Sequence, residues 1–144
     1  MYSVKSLLKW LLLVTMMESS DLRVAVYWNL HKDCWSVQSR SGENYGKIIM
    51  HSPSLVLSNA EFVVRQAGRN KVLQERKKNI HAFVVGIFVD NLVPASGHVV
   101  RGNDTAWYDP YKTDKFLNKD GEPLHKADVV FFHPDRKVTL TIKV

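Results

Sequence analysis

With 144 residues, 45% of them hydrophobic and 24% charged, the chain has the size and composition of one globular domain. It holds no internal repeat, low-complexity tract or heptad pattern, which excludes solenoid, collagen-like and coiled-coil architectures. The formal net charge is +6, and Arg65, Arg69, Lys71, Arg76, Lys77 and Lys78 against Glu75 place five of those charges within residues 65–81; charge so concentrated attracts phosphate or another acidic partner.

Residues 1–22 read as an apolar N-terminal helix or extension, followed by a single basic domain over 23–144. Lys9 interrupts the apolar run, no A-x-A-like cleavage site follows, and the stretch from Trp10 to Met17 falls well short of the ~20 residues a bilayer span needs. The expectation is therefore neither a signal peptide nor a membrane segment. Leu7, Leu8, Leu11, Leu12 and Val14 on a helix would pack against the domain or a neighbouring chain, so residues 7–14 offer an oligomer contact. Met17 reads as an alternative start, because patterned sequence begins only at Arg23.

Arg23 to Asn29 alternates Val24, Val26 and Trp28 against Ala25 and Tyr27, the period of a strand. Cys34 to Ser39 alternates again, and LHKD joins the two as a hairpin. Lys47 to His51 follows the polar turn SGENYG, and Ser54–Leu57 and Glu61–Val64 read as two short strands. Gly68 then punctuates the chain. Asn70 can cap a helix of about two turns through KVLQERKK, a run of good helix formers.

Ile80 to Val89 is rich in Val, Ile and Phe, with Gly86 marking a bulge. Residues 91–127 read as loop, with the turn dipeptides Asp109-Pro110 and Asp120-Gly121. Asp128–His133 and Lys137–Val144 form a last pair through His133-Pro134-Asp135-Arg136, the final strand having one wet face that suits an exposed edge. The predicted fold is α+β or mostly β: a small antiparallel sheet with one or two short helices, plus the N-terminal helix.

Catalytic signatures are sparse. The chain contains no H-E-x-x-H, C-x-x-C, phosphate-loop or G-x-S-x-G motif. His31 and Cys34 have half of a zinc-site spacing, but no second clip appears among His51, His81, His98, His125 and His133. No metal and no cofactor is expected, and the lone Cys34 gives no disulfide and no reason to invoke secretion. A metal-independent nuclease would need a base for a 2′-hydroxyl and cations for the developing phosphorane charge. His81 with Arg65, Arg69 and Lys78 could supply these, with Glu75, Asp90 or Asp109 as an acid–base partner. On a strand beside Phe83 and Val85, however, a histidine is more commonly structural.

Binding asks less of the sequence. Arg65, Arg69, Lys71, Arg76, Lys77 and Lys78 could follow a phosphate backbone, while Trp107, Tyr108, Tyr111 and Lys112 form an aromatic, basic cluster in which the rings stack on bases. The plainer reading makes the basic helix a solvated face and Trp107 and Tyr111 loop anchors.

NLHKDCWSV at 29–37, FVVRQAGRNKVL at 62–73, KNIHAFVVG at 78–86 and YDPYKTDKF at 108–116 resemble small uncharacterised proteins encoded by bacteriophages and prophages. The resemblance spans about Arg23 to Val130. It implies a phage accessory protein acting in the cytoplasm of a bacterial host cell, and it brings no activity with it. The resulting expectation is binding of a negatively charged partner, nucleic acid before an acidic protein surface, through residues 65–81. The alternatives are a small nuclease using His81 and an interaction protein docking through its N-terminal helix.

Overall fold

The computed structural model describes residues 22–89 and 103–141. The expected N-terminal helix, its contact segment at 7–14, Asp90 and His98 lie outside the described residues. Leu22, at the boundary drawn from sequence, already belongs to the core: it is buried, and its carbonyl accepts the Phe88 amide at 2.9 Å.

Eight strands form one antiparallel sheet: β1 (Arg23–Asn29), β2 (Cys34–Ser39), β3 (Ile48–Ser52), β4 (Leu55–Val64), β5 (Ala82–Phe88), β6 (Asp104–Ala106), β7 (Lys126–Phe132) and β8 (Val138–Thr141). Their order across the sheet is β3-β2-β1-β5-β4-β7-β8-β6. A single α-helix, α1 (Gln66–Glu75), joins β4 to β5, and a 3-10 turn, Gly42–Asn44, precedes β3. The chain is thus mostly antiparallel β with one helix among the described residues.

The sheet curls around its core. Three strands separate β2 from β7, which would put them roughly 19 Å apart in a flat sheet at about 4.8 Å per strand. Yet Trp35 Nε1 of β2 donates to the His133 carbonyl just after β7 at 2.9 Å, and the Trp35 ring lies 4.9 Å from that of Phe132, edge-on. The concave face so closed carries Val24, Val26, Val37, Leu57, Val130, Phe132 and Leu140, all essentially inaccessible. Each such side chain contributes about 1.5–3 kcal/mol on burial.

The β1–β2 hairpin follows the sequence reading. Asn29 Oδ1 accepts the amides of His31 and Lys32 at 3.0 and 3.1 Å, and Asp33 takes a φ of 54° to close the loop. Several expectations are corrected. Ser54–Leu57 and Glu61–Val64 are one strand, β4, because the Ser-Asn pair between them forms a bulge: Asn59 has a φ of 47°, and the β5 register slips between Ser58 and Glu61. Gly86 faces that bulge, where a Cβ would meet the Ser58 carbonyl at 2.8 Å, so the irregularity belongs to β4.

Helix α1 starts at Gln66, ahead of the expected cap at Asn70, with Gly68 inside it. It ends where Arg76 turns left-handed at a φ of 57° and its amide reaches the Val72 carbonyl, so Lys77 and Lys78 follow the helix. Strand β8 is not an edge: β7 pairs on one side and three-residue β6 on the other. β6 itself falls in a stretch read as loop, because its pairing with Val138–Leu140 has no local signal.

Candidate nucleic-acid interface

The chain leaves β4 through Arg65, runs along α1 and returns to β5 through the exposed residues Arg76 to Ile80. Gly68 decides how this excursion packs. A Cβ there would fall 2.5 Å from His81 Cβ and 3.3 Å from Asn79 Nδ2, so glycine lets the helix lie directly over the start of β5. Val72 is buried on the same side.

His81 is 5% exposed and both ring nitrogens are engaged. Nδ1 lies 2.7 Å from the Asn79 carbonyl and Nε2 2.7 Å from the Tyr108 hydroxyl. A carbonyl only accepts, so Nδ1 bears the proton and, in the neutral ring, Nε2 accepts from Tyr108. Tyr108 also sets its ring edge-on to His81 at 5.4 Å and tilted on Phe116 at 5.3 Å. Burial pushes its phenol up to about 12; the Arg69 guanidinium pulls the other way, and Asp109 and Asp114 push further up.

Two more links fasten the 107–116 loop to α1. Arg69 Nε donates to the carbonyls of Pro110 and Thr113, each at 3.1 Å, and Gln66 Nε2 donates to that of Asp114 at 3.1 Å. Between these anchors Asp109 shapes a tight turn: its carboxylate accepts the Tyr111 amide at 2.9 Å, and its carbonyl accepts those of Lys112 and Thr113. That turn holds the exposed ring of Tyr111 with the Arg76 guanidinium 5.8 Å from its centroid.

The structure therefore divides the residues singled out from sequence. Lys71, Arg76, Lys77, Lys78, Tyr111 and Lys112 are exposed on α1, its C-terminal loop and the facing turn. Arg69 is half-buried and fastens the loop. Arg65 is exposed, but its guanidinium turns over Phe83 at 4.9 Å. Trp107 bridges to Leu117, and its indole nitrogen donates to the Asn118 carbonyl at 3.2 Å. With Tyr108 next along the extended chain committed to His81, alternation aims Trp107 to the other side. Sequence reasoning grouped Tyr108 with Trp107 and Tyr111 as rings for stacking on bases, whereas its place under α1 depends on a contact 27 residues away.

Among the described residues no three His, Cys, Asp or Glu side chains gather as a metal site. His51, one of the histidines weighed as a ligand, lies with Nδ1 2.9 Å from the Ser36 hydroxyl, which also accepts from Asn29 Nδ2 at 3.0 Å. His133 Nε2 stands 2.8 Å from the Thr139 hydroxyl.

The family described as Mycobacterium phage L5 gene 82 protein matches residues 17–140. The gene 82 protein of Mycobacterium phage L5 is 38% identical over 122 residues, spanning 80% of this chain and 93% of that protein. The chain belongs to the family of this phage protein.

Membership of the gene 82 family makes the chain one of a family of small phage proteins, as the resemblance at 29–37, 62–73, 78–86 and 108–116 implied. The match runs wider than that resemblance, beginning at Met17 and reaching Leu140, so it takes in Leu22 and all of β8 but Thr141. The basic segment and the loop it holds lie wholly inside it. No solved structure matches this gene 82 family member. No helix among its described residues is long and apolar enough to cross a membrane.

Proposed function

We propose that this phage protein is an accessory factor that binds nucleic acid in the cytoplasm of its bacterial host, using the face made by α1, the loop after it and the 109–113 turn. The observation that carries this reading is the clasp of His81, Arg69 and Gln66 on the 107–116 loop, which holds exposed Tyr111 beside Arg76 and the basic run Lys77-Lys78. Cations along a groove follow the phosphate backbone, and an aromatic ring fixed among them takes a base on its face. An acidic protein surface would use the cations and leave Tyr111 without a role.

The nuclease reading draws no support from the geometry around His81. A general base needs a nitrogen within reach of the substrate proton, and here the ring is buried with both nitrogens occupied. Docking through residues 7–14 falls outside the described residues.

The test is equilibrium binding of a fluorescent single-stranded oligonucleotide, measured against duplex of the same sequence. Tyr111→Ala should weaken single-strand binding by about 1–3 kcal/mol, the worth of one base–aromatic stack, and leave the melting temperature nearly unchanged, because the ring is 54% exposed. Equal affinity of the variant and the parent for the single strand would remove Tyr111 from the interface.

A further inference from the structure

The convex face of the sheet carries a second basic site, which borders the α1 face at Arg65. A shallow pocket of about 230 Å³ is lined by Arg23, Arg40, Tyr45, Arg65 and, on its floor, Phe83 with Val63 and Val85. The sheet register builds it. β1 and β2 pair Val24 with Ser39, and one step further the Arg40 amide donates to the Arg23 carbonyl at 2.8 Å, setting two arginines opposite each other on the outer face. Val63 of β4 pairs with Phe83 of β5, and Arg65, two residues beyond Val63, reaches back over the same ring.

Three guanidinium groups in one concavity cost stability. Like charges directly opposite across a β pair repel, and neutralisation here is slight: Arg23 meets Glu61 only at 3.9 Å, between side chains that are both over 40% exposed. The face of Phe83 draws the cations of Arg40 and Arg65 to 5.7 and 4.9 Å of its centroid, which offsets part of the repulsion. Arg40 Nε is buried and donates to no acceptor among the described residues, while Nη1 makes only a long contact of 3.4 Å to the Tyr45 hydroxyl. A buried donor without a partner calls for an acceptor.

We infer that Arg23, Arg40 and Arg65 form a phosphate-binding pocket that takes a nucleotide phosphate. Guanidinium forks match the paired oxygens of a phosphate, and Arg is suited to that geometry where Lys is not. At about 30 Å³ per water the pocket holds roughly seven or eight water-sized groups, enough for a phosphate with its sugar at the open rim. Exposed Tyr45 at the rim, with Arg40 5.8 Å from its centroid, offers a ring beside that sugar. The phosphate can belong to a free nucleotide or to a nucleic-acid strand, and in either case the same three arginines hold it.

The experiment uses the full chain and three probes at constant ionic strength: adenosine monophosphate, a short oligonucleotide with a 5′-phosphate, and the same oligonucleotide without it. Arg40→Gln and, separately, Arg23→Gln should each weaken the responding probe at least tenfold. The combined change of Arg76, Lys77 and Lys78 to Gln should leave monophosphate binding within twofold, which separates this pocket from the α1 face. Binding of the monophosphate or preference for the 5′-phosphorylated strand identifies a terminal phosphate. Binding of both oligonucleotides alike, weakened by Arg40→Gln, identifies an internal one. Without any probe, Arg40→Gln should melt no lower than the parent, since it relieves a like-charge pair, and its melting temperature should not rise with monophosphate. Should all three probes bind the parent and both single variants equally, or none bind the parent, the pocket is not a phosphate site.

Discussion

Tyr108 turns a basic helix into one wall of a shaped surface. Its hydroxyl donates to buried His81, its ring rests on Phe116, and the chain beyond it carries Tyr111 and Lys112. Tyr108→Phe strands His81 Nε2 without its donor, and an unsatisfied buried acceptor costs about 1–3 kcal/mol; chemical denaturation of the two proteins measures this directly. The pH dependence has a definite sign. The folded phenol ionises near 12 and the unfolded one near its ordinary 10.0, so the unfolded state loses its proton first. Stability contributed by neutral Tyr108 is complete below pH 10 and is lost as pH rises toward 12. Tyr108→Phe should therefore show a shallower fall in stability across that window; a parallel fall would mean that the hydroxyl is not protected by the fold.

At the level of elements, α1 and β4 show what was legible in the sequence. The β1–β2 hairpin, β5 and the β7–β8 hairpin could be read because alternation and turn chemistry are local. The start of α1 could not, because Gly68 looks like a breaker and is present for a contact with His81 across the helix–strand junction. The Ser58-Asn59 pair likewise looks like a turn but is a bulge opposite Gly86. Both misreadings share a cause, a residue chosen for a neighbour distant in sequence. Gly68→Ala tests this at the helix. In an ordinary helix interior the change gains up to about 1 kcal/mol; here a Cβ 2.5 Å from His81 Cβ should make it destabilising by roughly 1–3 kcal/mol, as overpacking is. A melting temperature above that of the parent would show that α1 does not lie against β5.

For the whole molecule, the curled sheet is a scaffold with two basic surfaces at one end, joined at Arg65. The basic segment was legible in the sequence, since five of six net charges lie within residues 65–81. Its division into exposed cations and the structural Arg69 was not, because Pro110 and Thr113 accept from Arg69 across more than forty residues. The pairing of Arg23 with Arg40 depends likewise on the strand register. The most direct test of nucleic-acid binding is the salt dependence of affinity for the protein with Arg76, Lys77 and Lys78 all changed to Gln. These side chains are exposed, so stability should move by no more than about 0.5 kcal/mol for each. Each phosphate contact contributes roughly 0.9 to the log–log slope on duplex and 0.7 on single strands, so the slope should flatten by about 2 to 3 units. An affinity and slope equal to those of the parent throughout the titration would contradict the proposed function and leave the basic segment a solvated face.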